Sequence, residues 1–199
     1  ILWMRTMGGV AARRLQLRAE SRGVDPARLQ IARNERVPRY LARYRLADLY
    51  LDTWPFGSHT TVNDALSVGL PVLAQAGRTF ASRASASQVI AAGLPELVAN
   101  GLQGYVDLAI ALGSDRARLG ELSSRLRANR SRLPYFDLDA YTRAFEAVGR
   151  DVYDGRLVWE SMKETRLIPD IAVHMTRSGE ESGQLDELLA VGGTQIGHD

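Results

Sequence analysis

The polar stretch His59-Thr60-Thr61 lies directly before the segment 62–68, whose apolar residues have helical spacing. It follows the apolar segment 46–52, which we predict to be a strand ended by a Pro- and Gly-containing break. The first N–H groups of a helix lack intrahelical acceptors and carry the positive end of the helix dipole. Hydroxyl and N–H groups placed there, past the carboxyl end of a parallel strand, therefore suit a phosphate-bearing ligand.

Spacing alone leaves two interpretations of this turn open. Thr61 and Asp64 are three residues apart, the spacing of a capping box, so they could serve only to begin a helix. Alternatively, Thr60 and Thr61 hold a diphosphate, and Asp64 accepts a hydrogen bond from a ribose hydroxyl. The interpretations are compatible, because a capping residue can also contact a ligand. His59 is either structural or a hydrogen-bond donor to the same diphosphate.

Other reactive residue types in the chain indicate structure rather than catalysis. Asp137 and Asp139 form a D-x-D sequence directly before a helical segment, where we favour a helix start over a metal site. The serines of segment 82–87 have neither a G-x-S-x-G sequence nor a paired base, so a serine hydrolase is not indicated. No second His, Cys or carboxylate stands at metal-ligand spacing from His59, and we predict no metal site.

Short apolar runs alternate with amphipathic segments through the first half of the chain. This alternation predicts an α/β fold with a Rossmann-like parallel sheet covered on both faces. From about Pro95 onward we predict helices and no further strand. The predicted strands are 1–4, 29–31, 46–52 and 71–74, and the predicted helices are 11–22, 39–45, 62–68, 82–92 (capped by Ser82), 102–112, 115–130, 138–153, 157–165, 172–177 and 185–190.

A change of composition after Asp154-Gly155 predicts a domain boundary. Residues 1–154 form the α/β lobe in this prediction, and residues 155–199 form a helical tail whose end is disordered. The chain begins with Ile1 rather than Met, which we interpret as the start of a piece cut from a longer protein.

Composition narrows the range of partners. The chain has 199 residues, no cysteine and a formal net charge of +2 with interspersed charges. The arginines of segments 13–22 and 116–132 are spaced as solvated helix faces, so we predict no nucleic-acid partner. We find no signal peptide and no apolar run long enough to cross a membrane, and we predict a cytoplasmic protein without membrane insertion.

Four sequence segments in order resemble one enzyme family. LADLYLDT (46–53), SHTTVNDAL (58–66), GLPVL (69–73) and GRTFASRASAS (77–87) are similar to the C-terminal lobe of the O-linked N-acetylglucosamine transferases, the SPINDLY-like glycosyltransferases of GT-B fold. The resemblance spans residues 1–153. It implies a UDP-N-acetylglucosamine-dependent enzyme that transfers the sugar to Ser or Thr hydroxyls of polypeptides without a metal or other cofactor.

The resemblance also implies a role for each residue of the predicted site. Thr60 and Thr61 would contact the diphosphate of the UDP-sugar with His59 beside them, Asp64 would contact the ribose, and Arg43 would border the uracil pocket. No catalytic residue is expected within this chain. The catalytic lysine belongs to the N-terminal lobe, which with the tetratricopeptide repeats would lie upstream, and we therefore expect the chain alone not to transfer sugar.

The chain departs from the family pattern at three positions. Val37 stands where the resemblance leads us to expect a nucleotide-binding lysine, and Tyr40 stands where it leads us to expect a histidine stacked on uracil. Tyr40 keeps an aromatic ring that can stack. Arg78 stands where an acidic residue is expected. The loss of the lysine removes a cation from a phosphate-binding site, which predicts weaker UDP binding.

The tail resembles a second family. Residues 155–189, above all SGEESGQLDELL (178–189), are similar to a cytoplasmic helical piece of the inner-membrane platform protein of type II secretion and type IV pilus systems. Two alternative functions therefore stay open for the chain. The tail favours a secretion or pilus assembly component, and the lobe alone would also suit a nucleotide-binding remnant without catalysis. The alternative interpretation of the tail, which we favour less, is an ordinary amphipathic C-terminal extension.

Overall fold

The computed structural model describes residues 2–5, 9–166, 168 and 170–183 of the chain. These residues form an α/β fold, as predicted, in which helices outnumber strands. The strands are β1 (Leu2–Arg5), β2 (Leu29–Ala32), β3 (Tyr50–Leu51), β4 (Val72–Gln75) and β5 (Val98–Ala99). The helices are α1 (Gly9–Glu20), α2 (Val37–Tyr44), α3 (Thr60–Ser67), α4 (Phe80–Ala91), α5 (Gly101–Ser114), α6 (Arg116–Asn129), α7 (Leu138–Tyr153), α8 (Val158–Thr165) and α9 (Asp170–Ser182).

All strand pairs among the described residues are parallel, in two separate hydrogen-bonded sheets. β1 pairs with β2, and β4 lies between β3 and β5 in the second sheet. The register places Tyr50 opposite Val72 and Ala74 opposite Val98. Each parallel connection needs a crossover, and the helices between the strands supply it. The loops after β3 and β4 therefore emerge at the same carboxyl edge.

Two strand predictions are wrong in detail. The segment 46–52 is strand only at Tyr50–Leu51, because the N–H groups of Leu46 and Ala47 donate to carbonyls at the end of α2 and continue its turn. Leu46 is 72% exposed. The prediction that strands stop at Pro95 missed β5, Val98–Ala99, since two residues after a proline turn are too short for a periodic signal.

The core is formed by side chains of the second sheet together with those of α3, α4 and α6. Leu66 on α3, Val89 on α4 and Leu126 on α6 are all 0% exposed. The remaining members of this cluster are Val62, Ala65, Leu70, Val72, Ala74, Ala86, Ala92, Leu94, Leu97, Leu112, Leu119 and Leu122. Because α3 contributes three side chains to this core, its N-terminus is held firmly against the sheet.

The helices α5 to α8 agree with the sequence predictions to within two residues at each end, whereas α9, Asp170–Ser182, is longer than the predicted 172–177. α7 has the predicted bounds, Leu138–Tyr153, and Asp137 caps it by accepting the Ala140 N–H at 2.8 Å. The helix-start interpretation of the D-x-D sequence is therefore confirmed. Asp115 caps α6 in the same way.

The tail contributes α8 and α9 to the described structure. Gly155, at φ +89°, separates α7 from α8, and the Glu180 carboxylate of α9 accepts the Val158 and Trp159 N–H groups at the start of α8. The predicted helix 185–190 and the predicted disordered end lie outside the described residues. The division at Asp154 stays a prediction.

Among the described helices, none is both long and apolar enough to cross a bilayer.

Candidate functional site

The first N–H groups of α3 have no hydrogen-bond acceptor within the described structure. The helix begins at Thr60 with His59 as N-cap, and no side chain caps it. The capping-box interpretation is therefore wrong, since the Thr61 hydroxyl lies 3.2 Å from the Tyr50 hydroxyl instead. The N–H groups of Thr60, Thr61 and Val62 have no acceptor among the described residues. A helix N-terminus in this state can bind an anion.

Buried groups beneath the turn hold its backbone. Asp52, 7% exposed, accepts the Ser58 N–H at 2.8 Å, and the Ser85 hydroxyl donates to the Ser58 carbonyl. The Tyr50 hydroxyl lies 2.9 Å from the Ser58 hydroxyl. Gly57 passes so close to this network that a Cβ there would lie 2.7 Å from Ser85 Oγ. These contacts fix the direction of the N–H groups that follow.

Asp52 is itself fixed from a distant element. The Tyr105 hydroxyl of α5 donates to the Asp52 carbonyl at 2.8 Å, and burial raises the pKa of Tyr105 to about 12. The tyrosine is therefore a stable donor at physiological pH. Local sequence marks Asp52 only as the end of a strand, because its partners are 6 and 53 residues away along the chain.

His59 lies between two aromatic rings. Its ring stacks on Phe56 with centroids 5.4 Å apart, and Phe80 meets it edge-on at 5.7 Å. The Nε2 atom is buried and has no hydrogen-bond partner within the described part of the chain. A buried polar atom without a partner costs free energy, and a ligand that hydrogen-bonds to it recovers that cost.

Tyr40 lies near Asp64, one turn into α3. Its hydroxyl is 2.6 Å from the Tyr44 hydroxyl, and the two rings meet edge-on at 4.8 Å. Burial raises the pKa of Tyr40, and the nearby Asp64 carboxylate raises it further. The structure thus brings Tyr40 and Asp64 to one place.

Arg43, on α2, is held by the loop between β2 and α2. It donates to the Arg33 carbonyl at 2.9 Å and lies 3.7 Å from a Glu35 carboxylate oxygen. Val37, at the first position of α2, is 67% exposed. Five of the six predicted site residues, His59, Thr60, Thr61, Asp64 and Tyr40, therefore lie along α3 or against it, whereas Arg43 is engaged with the β2–α2 loop.

The loop after β4 reaches the same edge. Thr79 and Ser82 form a capping box at the start of α4, so the predicted cap at Ser82 is displaced by three residues. The small residues of α4 allow close approach, and the Gly57 N–H donates to the Ala81 carbonyl at 3.0 Å. The two loops thus form one surface. The described residues contain no group of three His, Asp or Glu side chains that could hold a metal ion.

Comparison with known proteins gives a consistent family. The model of glycosyl transferase family 41 matches residues 1–145. A UDP-N-acetylglucosamine–peptide N-acetylglucosaminyltransferase of Caenorhabditis elegans is 32% identical over 146 residues, which are 73% of this chain and 13% of that protein. The SPINDLY protein of Hordeum vulgare is 34% identical over 114 residues, 57% of this chain and 12% of that protein.

A solved structure extends the likeness to three dimensions. A mutant of the Thermobaculum terrenum O-GlcNAc transferase superposes with a TM-score of 0.66 at 29% identity, over 92% of this chain and 31% of that one. The 92% of this chain that superposes is a larger part of it than residues 1–154, so the superposition continues into the tail. The chain spans only a small part of the length of the relatives that it matches. Because the family model matches well over half of the chain, the chain belongs to glycosyl transferase family 41.

Proposed function

We propose that this chain is the donor-binding lobe of a UDP-N-acetylglucosamine-dependent protein O-glycosyltransferase. One observation supports this most directly: the open N–H groups of Thr60, Thr61 and Val62 lie beside a His59 Nε2 that lacks a partner in the described structure. N–H groups at a helix N-terminus favour a diphosphate, and His59 can donate to it. The resemblance and the family supply the identity of the nucleotide.

The other site residues have distinct proposed roles. Asp64, one turn into α3, accepts a hydrogen bond from the ribose, and Tyr40 offers its ring to the uracil. Arg43 borders the uracil pocket, although its present hydrogen bond to the Arg33 carbonyl would then be shared or exchanged. We place the catalytic groups in a second lobe of the intact protein, beside tetratricopeptide repeats.

The acceptor and the cellular setting are also proposals. The names of the relatives specify transfer to a peptide, and we propose Ser and Thr hydroxyls of polypeptides as acceptors in the cytoplasm. The superposition on the transferase structure continues beyond residue 154, which favours the transferase over the alternative of a secretion or pilus assembly component. The resemblance of the tail to the platform protein stays a prediction.

UDP is expected to protect the chain against thermal unfolding, because a ligand that binds only the native state stabilises it by mass action. The double variant Thr60→Val, Thr61→Val should weaken UDP binding by about tenfold or more, since hydrogen bonds to a charged group contribute roughly 1.5–3 kcal/mol each. Calorimetric titration with UDP and thermal melts measure both effects.

Thr142→Val on the exposed surface of α7 is the matched control and should bind UDP like the unchanged chain. An unchanged chain that shows neither binding nor protection at millimolar UDP would contradict the proposed function.

We propose that UDP binding needs no metal ion. The D-x-D sequence, which could have suggested one, is engaged in capping, because the Asp137 carboxylate accepts the Ala140 N–H. The UDP dissociation constant should be the same in EDTA and in millimolar Mg²⁺ or Mn²⁺. A dissociation constant that falls strongly on addition of either ion would show that a metal participates.

A further inference from the structure

We propose that Arg78 supplies the cation that binds the diphosphate of the donor in this chain. The inference rests on the proposed function and deepens it, since it assigns the donor a binding residue outside the α3 turn.

The β4–α4 loop is packed directly against the α3 turn. The Gly57 N–H donates to the Ala81 carbonyl at 3.0 Å, and the Ser85 hydroxyl donates to the Ser58 carbonyl. Phe80, two residues after Arg78, meets the His59 ring at 5.7 Å. Arg78 therefore stands in the loop that forms the second wall of the site.

The charges at this edge disfavour a diphosphate unless a cation is present. Asp52 is buried under the turn with no ion-pair partner in the described ranges, and Asp64 lies one turn into α3. The N-termini of α3 and α4 offer roughly half an elementary charge each. Two carboxylates and a diphosphate exceed this, so the site needs a positive side chain.

The local sequence offers only two cations for this purpose. Residues 52–63, which form the turn and the start of α3, contain neither Lys nor Arg, whereas residues 76–83 contain Arg78 and Arg83. Arg83 donates to the Gly77 carbonyl at 3.3 Å and so helps to shape its own loop. Arg78 is exposed, and its side chain has no hydrogen bond or ion pair with any described residue.

The guanidinium group of Arg78 is suited to binding a diphosphate. A guanidinium stays charged at any physiological pH and can donate two parallel hydrogen bonds to phosphate oxygens. The position Val37, where a lysine was expected, carries no charge. Arg78 can thus restore, from the β4–α4 loop, a positive charge that α2 does not provide.

Calorimetric titration of the 199-residue chain with UDP, UMP and uridine tests this inference. Arg78→Gln should weaken UDP binding by about tenfold, because charge-assisted hydrogen bonds to phosphate are among the strong ones. Uridine, which has no phosphate, should bind both proteins equally. Raising the salt concentration should weaken UDP binding less in the variant, since one ionic contact is missing.

Arg130→Gln is the matched control for net charge. Arg130, exposed at the C-terminal end of α6, lines the same cavity as Gly69 and Leu70, which lie just before the amino end of β4. The α3 turn lies at the opposite, carboxyl edge of the sheet, so replacing Arg130 should leave UDP binding unchanged. Thermal melts of the variants check that both remain folded.

Each outcome bears on one claim. If the unchanged chain binds UDP and Arg78→Gln binds it equally well, or loses uridine to the same extent as UDP, the role of Arg78 is overturned while the donor-binding function stands. If the unchanged chain does not bind UDP at all, the proposed function fails, and the role of Arg78 fails with it.

Discussion

Replacing Gly57 by alanine is expected to abolish the protection that UDP gives and to destabilise the chain by about 1–3 kcal/mol, the usual cost of overpacking. The new Cβ would lie 2.7 Å from Ser85 Oγ, 3.1 Å from Asp52 Oδ2 and 3.3 Å from the Ala81 carbonyl oxygen. The side chains of Ser85 and Asp52 hydrogen-bond to Ser58, and the Ala81 oxygen belongs to the backbone. A displacement of these atoms would therefore move Ser58 and the N–H groups that follow it.

Urea unfolding and calorimetric titration with UDP measure the two effects of Gly57→Ala. Gly120→Ala is the control, because a Cβ at Gly120, inside α6, meets nothing within 4 Å. That substitution should stabilise the chain by roughly 0.5–1 kcal/mol, the helix preference of alanine over glycine, and leave UDP binding unchanged. A Gly57→Ala variant that binds UDP normally would show that the close packing beneath the turn does not govern the site.

Leu66→Ala is expected to lower the free energy of unfolding by about 2–5 kcal/mol, the range for a buried leucine that leaves a cavity. Leu66 is 0% exposed and belongs to the cluster where α3 packs on the second sheet. Because the same helix carries the His59-Thr60-Thr61 turn at its other end, loss of this packing should also raise the UDP concentration needed for protection.

Leu102→Ala is the comparison for this experiment. Leu102 is 62% exposed on α5, and its truncation should change the free energy of unfolding by less than about 0.5 kcal/mol. A Leu66→Ala variant as stable as the Leu102→Ala variant in urea would mean that α3 is not anchored as the structure describes.

Local signals explain the predictions that the structure confirms. The bounds of α7 and the cap at Asp137 follow from helical spacing and from the preference of Asp for an N-cap, both of which act within a few residues. The parallel sheet follows from alternation of apolar and amphipathic segments. β5 was missed because Val98–Ala99 becomes a strand only when Ala74 and Gln75 of β4 offer it hydrogen bonds.

The His59-Thr60-Thr61 turn gave one prediction from local sequence that stands and one that the structure contradicts. Its residue types and its place after a strand predicted a phosphate-binding helix start from sequence alone. The interpretation of Thr61 as part of a capping box was wrong. Its hydroxyl contacts the hydroxyl of Tyr50, eleven residues earlier, instead of a backbone N–H group of α3. Spacing in the chain could not distinguish a hydroxyl directed at its own helix from one directed at the sheet.

The sequence by itself determined the α/β class, the helix succession and the chemistry at the start of α3, because each depends on neighbours a few residues apart. Tertiary structure alone decided what orients that chemistry. Asp52 is held by Tyr105, Ser58 is held by Ser85, and the β4–α4 loop with Arg78 is brought beside the turn. The physical reason is that hydrogen bonds and electrostatic fields act over distance in space, which the fold sets and sequence separation does not reveal.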